Sequence, residues 1–211
     1  MTIVYLIRHS KPLKVNNDLN CDDLHMQNEK TCLSIEGEEL AQKKLETIND
    51  VDILFSSNYV RAIQTAKYLT LNNDLEVNVV SDLGERRFGI SSWNEKPENF
   101  ERKQFTDEDY KIGSGESQKE VRERMYNAIM NIIDKNNDKK IAIVSHATAI
   151  SYFLRKWCDV SVVDDKLKYS FNGKVLLHGF LDYCDIFKLE FDNDNNLINV
   201  EILWQSSKTI W

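Results

Sequence analysis

Ile3-Val4-Tyr5-Leu6-Ile7-Arg8-His9 sets five consecutive apolar residues ahead of two side chains that can carry positive charge. An apolar run without polar interruption fits a strand buried on both faces, as in a parallel sheet covered by helices. Working outward, Ile141-Ala142-Ile143-Val144-Ser145 repeats the pattern and stops at His146, and Asp52-Ile53-Leu54-Phe55-Ser56 repeats it ahead of Arg61. Helical spacing fills the intervals. Ser34 can cap a helix whose inward face is Leu40, Ala41, Leu45 and Ile48, and Val60, Ile63, Ala66 and Leu69 mark another. Ser117 and Glu120 form a capping box ahead of Val121, Met125, Ala128, Ile129, Ile132 and Ile133. Val77-Asn78-Val79-Val80 reads as a short strand and Ala147 to Trp157 as a helix. Asp185 to Phe191 and Leu197 to Leu203 flank Asp192-Asn193-Asp194-Asn195-Asn196, as a hairpin at a sheet edge does. This alternation predicts an α/β protein: a three-layer α/β/α arrangement with a mostly parallel central sheet and an antiparallel edge hairpin.

The 211 residues suit one domain, residues 1–211, with a full core. Two prolines and seven glycines leave little room for linkers or low-complexity tails, and no internal repeat is present. No apolar run approaches the ~20 residues of a membrane helix. The first residues run straight into a strand rather than into a basic region and an apolar leader, so a cytoplasmic location is expected. A net charge of −7 argues against nucleic acid and anionic membranes as partners, and it makes arginines gathered beside histidines informative. Cys21, Cys32, Cys158 and Cys184 include no C-x-x-C pair and read as reduced packing residues. Cys21-Asp22-Asp23-Leu24-His25 with Cys32 matches no usual zinc spacing and reads as polar loop, so no metal ion or other cofactor is expected. Residues 10–33 as a whole are polar and show no period; a loop that long tends to be functional.

Arg8-His9, Arg61 and His146 each fall where a buried strand gives way to a loop or a helix. In an open parallel sheet, ligands bind outside the carboxyl ends of the strands. Helix N-termini there favour an anion, and arginine forks match phosphate oxygens. Alone, each element is weak: a histidine after a strand is more often a surface or capping residue, and Ser145-His146 lacks the Gly-x-Ser-x-Gly elbow of a serine hydrolase. Together, on three strand ends, they describe a pocket for a phosphoryl group.

These residues also carry a resemblance. The chain resembles the histidine phosphatase superfamily, the phosphoglycerate-mutase-like proteins. An apolar strand followed by Arg-His-Gly is similar to Leu6-Ile7-Arg8-His9-Ser10, and Leu-Thr-x-x-Gly-x-x-Gln-Ala is similar to residues Leu33 to Ala41. Ser-Pro-Leu-x-Arg-Ala-x-Gln-Thr-Ala resembles Ser57 to Ala66 (SNYVRAIQTA), with Asn58 and Tyr59 in place of proline and leucine. Leu83 to Gly89, Gly115-Glu116-Ser117 and Val144-Ser145-His146-Ala147 complete the set, in family order over residues 3–150. The last sixty residues or so carry no signature. The resemblance implies His9 as nucleophile, Arg8 and Arg61 as clamps on the phosphoryl oxygens, His146 as a donor to the transferring group, and Glu85 as proton donor to the leaving oxygen. A neutral imidazole attacks phosphorus without a metal-activated water, and an alkoxide leaving group needs a nearby acid. Read without the family, Glu85 is a surface glutamate after a strand. Ser10 and Ala147 stand at the family's glycines and are small enough to let backbone approach phosphate. The family's asparagine after the nucleophile corresponds to Asn16 or Asn17.

A phosphatase acting on a small phosphorylated metabolite is therefore expected, with a phosphoglycerate-type mutase and a silent phosphate-binding module as alternatives. Glycolytic mutases of this family carry a longer insertion with an Arg-Arg pair, whereas residues 94–116 hold only Pro97 and no such pair. A silent module usually loses the nucleophile or the acid, and both are present. The 10–33 loop, the Phe88 to Phe105 segment and residues 158–183 are expected to wall the pocket. Phe88, Trp93, Tyr59 and Tyr110 read as an apolar rim or as packing residues. Arg86, Arg87 and Lys11 read as contacts to a second anionic group or as a solvated face. No coiled-coil pattern forces an oligomer.

Overall fold

The computed structural model describes residues 1–15, 23–163 and 166–204. Four parallel strands form the centre: β1 (Thr2–Arg8), β2 (Ile53–Ser56), β3 (Val77–Val79) and β4 (Lys140–Ser145). β8 (Ile186–Phe191) and β9 (Leu197–Trp204) extend the sheet as an antiparallel hairpin, giving the order β3-β2-β4-β1-β8-β9. The expected sheet and edge hairpin are both present.

Alternation along the strands builds the three layers, because successive side chains point to opposite faces. Val4, Leu6, Phe55, Ile141 and Ile143 pack against α5 (Gln118–Lys135) and α6 (Ala147–Leu154). Tyr5, Ile7, Leu54, Ala142 and Val144 pack on the other face against α2 (Ile35–Leu45) and α3 (Val60–Asn73). Leu6, Ile7, Ile141 and Ile143 are fully buried, each worth about 2 kcal/mol over exposure. The expected caps are in place. Ser34 Oγ accepts from Gly37 N at 3.1 Å, and Ser117 with Glu120 closes both bonds of a capping box at 3.2 and 2.9 Å.

Two short helices and a three-stranded sheet are not among the sequence expectations. The 10–33 region is not wholly a loop: Asp23 caps α1 (Leu24–Lys30), whose one buried residue is Leu24, too few for a period. α4 (Phe100–Thr106) is equally short. Residues 159–178 form a separate antiparallel sheet, β5 (Asp159–Val163), β6 (Lys166–Phe171) and β7 (Lys174–His178). Tyr169, Leu176 and Leu177 join the core on the α5–α6 side. The helix expected over residues 147–157 ends at Leu154, and the strand expected at 77–80 ends at Val79.

Register places the site. β1 and β4 pair in parallel with Arg8 opposite Ser145, and β2 pairs with β4 with Ser56 opposite Val144. The ladder runs on one step past each end, His9 N donating to Ser145 O at 2.9 Å and Ser57 N to Val144 O at 3.1 Å. His9, His146 and Ser57 thus emerge side by side from three adjacent strands.

Candidate active site

His9 is 5% exposed at the end of β1. Arg61 Nε can only donate, so at 3.1 Å His9 Nε2 must accept. The ring proton is therefore on Nδ1, which donates to Ser10 O at 2.7 Å. Nε2 carries the lone pair and points toward the arginine. Burial, then the charges of Arg61 and Arg8, hold the His9 pKa well below the usual imidazole value near 6.5.

Arg61, in the first turn of α3, is 4% exposed and joins the two histidines. Its Nη2 donates to His146 Nδ1 at 3.2 Å, which leaves the single ring proton of His146 on Nε2, donated to Ser57 Oγ at 2.8 Å. The imidazole centroids lie 4.9 Å apart. His146 is fully buried, and burial followed by Arg61 and His9 depresses its pKa strongly. Arg61 Nη1 donates to Asn28 O of α1, so the short helix walls the arginine side of the site.

Arg8 lies on the opposite flank. Its guanidinium stacks 4.1 Å from the Tyr183 ring, which is itself 6.1 Å from the His9 ring. Nη1 donates to Leu181 O, while Nε is buried without a partner among the described residues. Only the end of the 158–183 region reaches the site; most of the rest is the β5–β7 sheet.

Glu85 follows a tight turn over Ser81–Leu83 and is half-buried. Its carboxylate sits on the N-terminus of α6, accepting from Ala149 N at 3.0 Å and Thr148 N at 3.3 Å, and from Arg86 N at 2.9 Å. The first N–H groups of a helix lack partners within it, and the Glu85 side chain supplies them here. His146 caps the same helix and Ala147 is its first residue. The carboxylate is thus held at the end of the helix that His146 caps and is not a solvated surface group.

The remaining expected residues separate. Ser10 is buried, its N–H donated to Thr65 Oγ1 at 3.0 Å and its hydroxyl to Gly37 O at 2.6 Å. Its contact with His9 is through its carbonyl. A Cβ on Gly37 would stand 2.1 Å from Lys11 O, which explains the glycine in Leu33 to Ala41. Asn16, Asn17 and Cys21 lie outside the described residues. Among the described residues no three His, Cys, Asp or Glu side chains gather, and no helix is long and apolar enough to cross a membrane. Tyr59 is 1% exposed, its ring 4.4 Å from the His146 ring and 4.8 Å from the Arg61 guanidinium, so it floors the pocket. Phe88, Trp93 and Tyr110 cluster around or beside buried Phe100, with Trp93 half exposed. Arg86 is buried between Phe88 and Phe100 and bonds Gln104; Arg87 is exposed and Lys11 faces Glu36 at 3.8 Å.

Asn58 and Tyr59, the two departures from the family segment, both touch α1. Asn58 Nδ2 donates to Glu29 Oε1 at 3.0 Å, and Tyr59 Oη lies 3.5 Å from His25 Nδ1. Sequence reasoning also misses Tyr183 and the Asn28 carbonyl; nothing in Leu181-Asp182-Tyr183 marks a site.

The two neutral histidines give a testable pH dependence. Their folded pKa values lie below those of the unfolded chain, so the unfolded chain alone takes up protons once pH drops below about 6.5. Stability should fall on acidification from about pH 7 to about pH 5, by about 1.4 kcal/mol per pH unit for each proton bound only when unfolded. Urea unfolding across that range checks it. The His9→Asn/His146→Asn double variant should show a shallower slope; an unchanged slope would contradict neutral histidines.

The model of the histidine phosphatase superfamily (branch 1) matches residues 4–197. No curated protein sequence matches the chain. Among solved structures, the mycobacterial glucosyl-3-phosphoglycerate phosphatase in complex with VO3 superposes with a TM-score of 0.69 at 17% identity, covering 96% of this chain and 98% of that one. An Entamoeba histolytica phosphoserine phosphatase in complex with 3-phosphoglyceric acid gives 0.67 at 20% identity over 98% of each chain. Bacillus stearothermophilus YhfR gives 0.70 at 17% over 96% of each. At these identities the structural likeness is one of fold.

Proposed function

The chain belongs to the histidine phosphatase superfamily, and from that premise we propose that it hydrolyses a small organic phosphomonoester through a phosphohistidine on His9. The observation that carries this reading is the placement of Arg61 between His9 Nε2 and His146 Nδ1, with the Glu85 carboxylate on the helix that His146 caps. A phosphoryl group seated there takes the arginine's hydrogen bonds on its oxygens, and Nε2 is left facing phosphorus.

In the first step the Nε2 lone pair attacks phosphorus, the P–O ester bond breaks, and the leaving oxygen takes a proton from the Glu85 carboxyl. Arg8, Arg61 and His146 hold the equatorial oxygens, where charge accumulates in a loose phosphoryl transition state; His146 does so as the Nδ1–H tautomer, its Nε2 then accepting from the Ser57 hydroxyl. In the second step Glu85, now a carboxylate, takes a proton from water as its oxygen attacks phosphorus. The P–N bond breaks, inorganic phosphate leaves, and His9 returns to its starting form. The chemistry needs no metal or other cofactor, because side chains supply nucleophile, donors and acid. The phosphatases of like fold act, by name, on glucosyl-3-phosphoglycerate and phosphoserine, which supports a small phosphorylated metabolite as substrate.

Incubation with 3-phosphoglycerate and a bisphosphoglycerate primer separates hydrolysis from isomerisation. We expect steady release of inorganic phosphate from a panel of monoesters and no build-up of 2-phosphoglycerate. Rapid isomerisation with little phosphate release would replace the hydrolase reading by a mutase.

A further inference from the structure

The segment carrying Glu85 is irregular, yet proton transfer depends on where its carboxylate stands. One ion pair grips that segment from both sides. Arg124 of α5 makes a bidentate bond to Glu116, Nε to Oε1 at 2.8 Å and Nη2 to Oε2 at 2.9 Å. Its remaining nitrogen, Nη1, donates to the carbonyls of Asp82 at 2.7 Å and Gly84 at 3.3 Å, just ahead of Glu85. Just behind it, Glu116 Oε2 accepts from Arg87 N at 2.9 Å, and Glu116 N donates to Arg87 O at 2.9 Å. Both side chains are mostly shielded, 19% and 16% exposed. Ser145 Oγ adds an anchor on Leu83 O at 2.7 Å, from the strand end that also carries His146. Neither Arg124 nor Glu116 bonds the Glu85 carboxylate; each holds the backbone that presents it.

We propose that the Arg124–Glu116 pair is a positioning unit for Glu85, setting its carboxyl within reach of the leaving oxygen. This rests on Glu85 being the proton donor, as proposed above. The geometry favours positioning over simple docking of α5. All of the backbone partners of Arg124 and Glu116 in this cluster lie within residues 82–87, and the bidentate fork fixes orientation as well as charge.

Leaving-group chemistry separates the two roles. p-Nitrophenolate departs without a proton, phenolate departs poorly without one, and kcat/KM reports only steps up to P–O cleavage. Substituted phenyl phosphates from p-nitrophenyl to unsubstituted phenyl therefore give a slope of log kcat/KM against leaving-group pKa that measures how well the acid is placed. Glu85→Gln sets the scale with a steep slope. Arg124→Gln and Glu116→Gln should steepen it too, losing about 10- to 100-fold on phenyl phosphate while staying within about 3-fold on p-nitrophenyl phosphate. Arg124→Lys keeps the charge but not the fork and should fall between wild type and Arg124→Gln; it is the variant to read if the glutamine change does not fold. A steep slope for Glu85→Gln with wild-type slopes in Arg124→Lys and Glu116→Gln, or equal losses on every ester, would overturn the positioning role alone. A shallow slope for Glu85→Gln would overturn Glu85 as the acid, and the positioning role with it.

Discussion

His9→Ala should lower kcat/KM for p-nitrophenyl phosphate by about 10^5-fold or more, the scale on which loss of a covalent nucleophile is felt. The neighbours offer no substitute. His146 Nδ1 faces Arg61 and its Nε2 is bonded to Ser57, while the Ser10 hydroxyl is donated to Gly37 O. Ser57 Oγ is likewise engaged, 2.8 Å from the histidine nitrogen. The fold should survive, because the bond that seats this position, His9 N to Ser145 O, is made by backbone and remains. A far-ultraviolet spectrum and a melting curve close to wild type would confirm that the loss is chemical. Activity within tenfold of wild type, in protein free of contaminating phosphatase, would mean that another group receives the phosphoryl.

The second large effect is expected at Arg61. Removing one preorganised donor to a developing anion typically costs about 10^2- to 10^3-fold. Arg61 directs donors at both histidines from one rigid guanidinium, so Arg61→Gln should fall at or beyond the upper end, mostly in kcat. Arg61→Lys restores charge without the fork and should remain about 10^2-fold down. The pH profile carries an independent sign. Arg61 is the second cause, after burial, of the low His9 pKa. Without its charge the imidazole holds a proton to higher pH, and a protonated Nε2 cannot attack. The acid limb of kcat/KM for Arg61→Gln should therefore move to higher pH than in wild type. A rise in KM alone, with kcat and the acid limb unchanged, would reduce Arg61 to a ground-state contact.

The central sheet is legible in the sequence because Ile3 to Ile7 and Ile141 to Val144 are unbroken apolar runs with no charged residue to give them another place. The capping residues Ser34 and Ser117 are legible for a similarly local reason. α1 is not legible, since a two-turn helix that buries only Leu24 leaves no period; its place depends on Asp23, Asn58 and the Asn28 carbonyl. The β5–β7 sheet is a different case, for its signal is in the chain. Leu167, Tyr169 and Phe171 alternate with polar residues, and Asn172-Gly173 follows with both φ angles positive, at 49° and 78°. That pair is the turn a tight hairpin favours.

At the site, the residue types at the strand ends already suggest anion binding, but which strands neighbour one another is a matter of register, visible only in the fold. Glu85 enters through the family resemblance alone; its spacing in the sequence looks like that of a solvated glutamate. The carboxylate gains its meaning from α6, more than sixty positions later in the chain. Tyr183 and the Arg124–Glu116 pair are illegible for the same reason. They act on Arg8 and on the Glu85 turn across distances that no local pattern encodes.

The central claim is that phosphorus becomes bonded to nitrogen of His9. Rapid mixing with a turned-over phosphomonoester, quenching in alkali and mass spectrometry of the peptide carrying His9 test it most directly. Phosphate on the His9 imidazole, stable in alkali, lost in acid and formed no more slowly than turnover, is the expected result. Continued turnover with His9 unmodified, or phosphate on a different side chain, would contradict it.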